Sequence, residues 1–167
     1  MENEITAQRV FELLDYNPET GNFIWKIKRR GRRKIGMLAG CIHPHGYVRI
    51  SIDYRLYNAQ RLAWLFITGK WPNGLVDHID GNRSNNRANN LRECNHIQNG
   101  ANRKIPTSNT SGYKGVSKIK SNGKWGAWIK VSGKSKNLGC NFDTPEQAYE
   151  AYKKASEKMH GEFGRYH

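Results

Sequence analysis

Acidic residues are scarce in this chain, cysteines scarcer, and long apolar runs are missing. Asp plus Glu number 14 against 28 Lys plus Arg, a formal net charge of +14. Such a surface repels cationic partners and favours a polyanion, with affinity that falls as salt rises and condensed counterions lose their entropic advantage. The three cysteines, Cys41, Cys94 and Cys140, stand singly with no Cys-x-x-Cys pair, which argues against a zinc ribbon or a disulfide framework and for reduced thiols. No apolar run approaches the roughly 20 residues that a membrane helix needs. The first residues, MENEITAQRV, lack the charged and hydrophobic order of a signal peptide, so a cytoplasmic location and no membrane partner are expected. What remains, 37% hydrophobic and 25% charged over 167 residues, is the composition of a globular chain with room for one full domain or two small ones.

One stretch is chemically pointed. Residues 75–104 read LVDHIDGNRSNNRANNLRECNHIQNGANRK: a short apolar run ending in Asp77-His78, an Asn-rich loop, Asn90-Leu91, and a helical segment with His96 and Asn99. A carboxylate holds a hard cation through oxygen, and a neutral imidazole beside it takes a proton from water. The amide of Asn99 supplies a second oxygen for the same cation. That set suits phosphodiester hydrolysis. An isolated Asp-His pair would be surface or turn material, and Asn-rich loops are ordinary turn chemistry. Four positions in fixed order shift the weight to the nuclease reading.

The spacing of twelve residues from His78 to Asn90 and nine more to Asn99 resembles the HNH nuclease motif, in the His-Asn-Asn form found in phage and intron homing endonucleases. The resemblance implies Asp77 and Asn99 as ligands of a divalent metal, Mg²⁺ or Mn²⁺, His78 as general base, and Asn90 as the amide that holds the imidazole. It also implies a ββα-metal fold, two short strands and a helix around one ion. His96 breaks the family spacing and takes second place to Asn99. Upstream, the likeness extends to about residue 45, with Gln60 where relatives often have His.

The chain ahead of the motif alternates helix and strand signals. Residues 5–15 place Ala7, Val10, Phe11 and Leu14 at helical spacing behind Thr6. Phe23, Trp25 and Ile27 alternate as in a half-buried strand, and residues 46–52 and 55–58 read as strands around Asp53-Tyr54. Residues 58–68 form an apolar-faced helix closed by Gly69, which should pack beneath the motif. Within 26–34 lie seven basic residues, Arg29, Arg30, Arg32 and Arg33 among them, a run that repels itself unless an anion is near and is expected to contact a nucleic-acid backbone. His43 and His45 would not converge on an extended segment without a turn, and Pro44 to Gly46 reads better as a hairpin connection, so no metal is expected there. Around the motif, Arg83, Arg87, Arg92, Arg103 and Lys104 are candidates to hold phosphates.

Residues 105–111 carry no hydrophobic period and read as a linker. Beyond them, 113–119, 124–131 and 134–140 are strand candidates separated by Asn122-Gly123 and Ser132-Gly133, and Thr144-Pro145-Glu146-Gln147 opens a helix to about His160. The segments SGYKGVS, GKWGAWI, LG, FDTPEQA, AY and HGEFGR resemble the AP2 DNA-binding domain. That likeness implies a three-stranded sheet in the major groove, with Lys114, Lys118, Lys124, Trp125 and Lys130 on the contact face. For Trp125 and Trp128, three positions apart, parity predicts opposite faces with at least one in the core. The expected whole is an α+β chain: an HNH domain over 1–104, a linker over 105–111 and an AP2-like domain over 112–167. The expected activity is site-specific, homing-type cleavage of double-stranded DNA, by a monomer, in a phage-infected bacterial cell. A non-catalytic DNA-binding regulator is the alternative, and an RNA-directed protein is a third.

Overall fold

A computed structural model describes residues 5–28 and 34–165; the basic positions Arg29, Arg30, Arg32 and Arg33 lie outside the described residues. The chain forms two compact units, Met1–Cys94 and Asn95–His167. Short helices and small antiparallel sheets build both, an α+β arrangement.

In the first unit, helix α1 (Ala7–Leu13) starts where the Thr6 hydroxyl accepts the Arg9 backbone N–H at 3.2 Å. That bond satisfies one of the amides a helix start leaves open. The chain then runs into strand β1 (Leu14–Asn17), which pairs with β2 (Asn22–Trp25). Phe23 and Trp25 are buried as alternation predicts, but β2 ends at Trp25 and leaves Ile27 exposed. A second sheet joins β3 (Cys41–Ile42), β4 (Val48–Ile52) and β5 (Arg55–Asn58) in that order. Asp53 and Tyr54 both take positive φ, 45° and 65°, the backbone of the two-residue turn whose twist suits a hairpin. Helix α2 (Ala59–Thr68) follows Asn58, whose amide oxygen accepts from Arg49 Nε at 3.3 Å instead of capping the helix. Gly69 ends α2 in the left-handed conformation.

The core of this unit gathers Leu13 and Leu14, Phe23 and Trp25, Ile50 and Ile52, and the α2 face Leu62, Ala63 and Leu65. Val76 and Leu91 belong to the same cluster. They come from β6 (Leu75–His78) and β7 (Leu91–Cys94), the antiparallel ribbon that carries the motif. The helix therefore packs beneath the motif, as its apolar face predicts.

The β1–β2 turn touches the motif loop. Gly21 has φ +74°, and a Cβ there would lie 2.5 Å from the Asn86 carbonyl carbon and 2.6 Å from the Arg87 nitrogen, both backbone atoms. Gly21→Ala is expected to destabilise the first unit by on the order of 3 kcal/mol, combining left-handed strain with overpacking against atoms that cannot rotate away. Thermal denaturation checks it; an unchanged transition would show that the two loops separate without penalty.

In the second unit, Asn95 opens helix α3 (His96–Ala101) with a reciprocal cap: its side chain accepts from Ile97 and Gln98 N–H, and Gln98 Oε1 accepts the Asn95 N–H at 2.8 Å. Residues 105–111 contain no helix or strand. Strands β8 (Val116–Lys118), β9 (Trp125–Val131) and β10 (Lys134–Phe142) make one antiparallel sheet with β9 central, and helix α4 (Pro145–His160) covers it. Val116, Ala127 and Ile129 bury against Ala148 and Tyr152, and Ala155 and Met159 pack on the same cluster.

Candidate active site

The β6–β7 register sets the site. Asp77 faces Arg92 across the ribbon and His78 faces Leu91. Successive strand residues turn to opposite sides. The carboxylate and the imidazole therefore take different partners. Arg92 donates from Nε at 3.3 Å and Nη2 at 3.1 Å to Asp77 Oδ2, with both side chains largely shielded from water. Arg92, expected among the groups that hold phosphates, forms a part-buried ion pair with Asp77.

His78 is 4% exposed and its Nε2 lies 3.1 Å from the amide oxygen of Asn86. Asn86 donates its Nδ2 to Ser84 O at 3.3 Å, which turns the carbonyl end toward the ring. An oxygen acceptor at Nε2 requires that nitrogen to carry the hydrogen, and Nδ1 keeps the ring's basic lone pair. Burial lowers the His78 pKa and Arg83's charge adds to that, outweighing the Asn86 hydrogen bond and the Asp77 and Asp80 carboxylates that raise it. The ring is thus neutral at pH 7, the form that accepts a proton.

The amide that reaches the imidazole is accordingly Asn86, where the motif resemblance implied Asn90. Asn90 does other work. Its Nδ2 donates to Asp80 Oδ1 at 3.0 Å and to Asn85 O at 2.7 Å, while its Oδ1 accepts the Asp80 N–H at 3.0 Å. It closes residues 80–90 into a fixed loop. Asp80 also accepts from the Asn82 N–H and from Asn85 Nδ2, each at 2.7 Å. Burial pushes the Asp80 carboxyl up, but these donors outweigh it and leave its pKa below the ordinary carboxylate value. Asn86, Asp80 and their bonds were hidden in the sequence among five asparagines between 82 and 90, whose order alone does not say which amide faces which partner.

Tyr47 stands beside the imidazole, its ring centroid 6.1 Å from that of His78. The Arg83 guanidinium lies over Tyr47 at 4.8 Å and donates to His45 O at 3.0 Å, so one of the expected phosphate-binding groups is held near the imidazole. Arg87 is exposed on the same loop. A turn at 44–46, which contains His45, brings its ring centroid to 5.4 Å from that of His43, a convergence that an extended segment would not give. Among the described residues, no group of three His, Cys, Asp or Glu side chains could hold a metal ion.

Asn99, the second expected metal ligand, sits on α3 in the second unit, where its backbone N–H donates to Asn95 O at 3.0 Å. Arg103 and Lys104 follow α3 and are exposed. On the sheet of that unit, the expected contact face is revised. Trp125 packs against the core under α4, with the Lys118 ammonium 5.9 Å from its ring centroid. Trp128 lies on the opposite face, folded over Gly126 so closely that a Cβ there would meet its ring at 2.2 Å. Lys130 shares the Trp128 face by parity and is exposed. Lys114 donates its ammonium to Ala101 O, and burial together with Arg165's charge pushes its pKa down to about 8. Lys124 pairs with Asp143.

The oxygen chemistry of this site fits a hard cation with few protein ligands. Asp77 already serves a positive group, the Arg92 guanidinium, in a place shielded from water. A single carboxylate completed by waters and substrate phosphates matches how Mg²⁺ is held when no dedicated protein cage exists. Nucleases of the HNH type generally depend on a divalent metal.

Comparison with known proteins agrees with the geometry. The sequence profile of the HNH endonucleases matches residues 57–101, from the end of β5 through α3. Protein 3.8 of Escherichia phage T7 is 38% identical over 105 residues, covering 62% of this chain and 85% of the relative. An uncharacterized HNH endonuclease, L560 of Acanthamoeba polyphaga mimivirus, is 38% identical over 116 residues, covering 68% of this chain and 59% of the relative. No solved structure matches the chain. No described helix is long and apolar enough to cross a membrane. Taken with the buried imidazole and its asparagine loop, these matches show that the chain belongs to the family of phage T7 Protein 3.8 and carries an HNH endonuclease domain, the mark of a nuclease.

Proposed function

We propose that the protein is a site-specific DNA endonuclease of the homing type that hydrolyses phosphodiester bonds with one divalent metal ion, Mg²⁺ or Mn²⁺. The observation that carries this reading is the buried His78 ring, neutral and hydrogen-bonded at Nε2, on a ribbon whose next residue back is Asp77. His78 Nδ1 takes a proton from water, the water oxygen bonds to phosphorus, and the phosphorus–oxygen bond to the leaving strand breaks. The leaving oxygen takes its proton from solvent. Asp77 and Asn99, the ligands the motif implies, would hold the metal, which when bound neutralises charge on the phosphate and the leaving oxygen. Asn90 keeps the loop closed so that the base stays in place. Arg83, stacked on Tyr47, and Arg87 grip the flanking backbone. A monomer that nicks one strand is the simplest form, since each chain carries one HNH motif.

The three-stranded sheet of the second unit, with its covering helix α4, is read as an AP2-like DNA-binding module that positions the nuclease. Double-stranded DNA is the partner, with the open face of the sheet, Trp128 and Lys130, toward it. Trp128→Ala is expected to weaken DNA binding about tenfold while the unit keeps its unfolding midpoint, whereas Trp125→Ala unfolds it at lower denaturant; the reverse pattern in a binding titration and a melt would put the contact face under α4. Lysines on these strands place the module by phosphate contact more than by base readout.

The buried Asp77–Arg92 pair favours one second reading, a non-catalytic DNA-binding regulator whose metal ligand is permanently taken. Supercoiled plasmid incubated with the full chain and Mg²⁺, with chelator as control, separates the two. Conversion to nicked or linear plasmid only with metal supports the nuclease; retarded but uncut plasmid supports the regulator.

A further inference from the structure

We infer that Asn86, braced from behind by the β1–β2 hairpin, is the positioning residue that presents His78 Nδ1 to the attacking water. This rests on the reading of His78 as the base. Asn86 is 2% exposed and touches three separate parts of its own unit. Its side-chain oxygen meets His78 Nε2 at 3.1 Å, its Nδ2 donates to Ser84 O at 3.3 Å, and its backbone carbonyl accepts the Tyr16 hydroxyl at 2.7 Å. Two residues on, the Ala88 N–H donates to Pro18 O at 2.9 Å.

The hairpin thus grips the loop at two polar points, and at Gly21 it comes so near that only hydrogen fits between the backbones. Tyr16 is itself locked by aromatic neighbours, with Phe23 at 4.8 Å and Phe66 at 5.7 Å between ring centroids. Residues 14–25 contain no nuclease motif, yet they fix the group that fixes the base. A ring free to swing about its χ2 torsion would spend much of its time with the wrong nitrogen toward the water. An acceptor held at Nε2 removes that freedom, and small displacements of a base are expensive in rate.

The test compares Asn86→Ala, Asn86→Asp and Tyr16→Phe in the full chain. Asn86→Asp keeps an oxygen for the Nε2–H; Asn86→Ala does not. Cleavage by Asn86→Ala should fall about 30-fold in kcat with KM for plasmid unchanged, and Asn86→Asp should recover most of it. Tyr16→Phe, which removes one hydroxyl without opening a cavity, should lose about threefold in kcat alone. In ¹⁵N-edited spectra the His78 Nε2–H proton, identified by its disappearance in His78→Ala, should be visible in the wild type and Asn86→Asp and lost to solvent exchange in Asn86→Ala.

If Asn86→Ala cannot be folded, the Tyr16→Phe rate and the Asn86→Asp spectrum decide. The inference is overturned if the Nε2–H signal is indifferent to residue 86, or if the losses appear in KM and not kcat. The spectra read out positioning even if wild-type protein leaves plasmid intact, an outcome that would sink the nuclease reading separately.

Discussion

His78→Ala is expected to lower the rate of metal-dependent DNA cleavage by about three orders of magnitude, within the range general-base catalysis contributes, while DNA affinity at fixed salt changes less than twofold. The variant loses one ring and with it one proton acceptor. His78 is buried beside Tyr47, so its contacts are with protein and its charge state is neutral; removing it takes away a proton acceptor and no cation that could hold a phosphate. A binding defect would instead point to Arg83 or Arg87. Gel retardation in chelator and single-turnover cleavage with Mg²⁺ measure the two quantities separately. Equal cleavage by variant and wild type would show that the water is activated elsewhere.

Arg92→Ala is expected to destabilise the metal-free first unit by about 3 kcal/mol, the loss typical when one partner leaves a buried ion pair. The Arg92 and Asp77 side chains are 13% and 9% accessible, so water cannot replace the guanidinium at little cost. The informative part is what restores it. A divalent ion binding the Asp77 carboxylate stabilises the fold by an amount that grows with the logarithm of its concentration once that exceeds Kd. Millimolar Mn²⁺ should therefore raise the urea midpoint of Arg92→Ala more than that of the wild type, where Arg92 competes for the same oxygen. Arg92→Ala combined with Asp77→Asn should regain stability without metal and lose the Mn²⁺ effect. If Mn²⁺ raises both midpoints equally, Asp77 is no metal ligand in the free protein.

Much was determined by the order of residues alone. Thr6 ahead of an apolar periodic run starts a helix because its hydroxyl meets an orphan amide; Asn95 with Gln98 closes a reciprocal cap for the same reason; Ser132-Gly133 turns a hairpin because both accept positive φ. These are interactions over a few residues, and the nuclease likeness rests on similar local spacing. What only the tertiary structure decided are the pairings between distant positions. Asn86 and not Asn90 meets His78, Arg92 meets Asp77, Tyr16 grips a loop 70 residues away, and Trp128 in place of Trp125 takes the open face of its sheet. The physical reason is register: neighbouring asparagines are chemically identical, and the partner each one finds is set by which strand edge and which turn the burial of Phe23, Ile50, Leu62 and Leu91 in a shared core brings beside it.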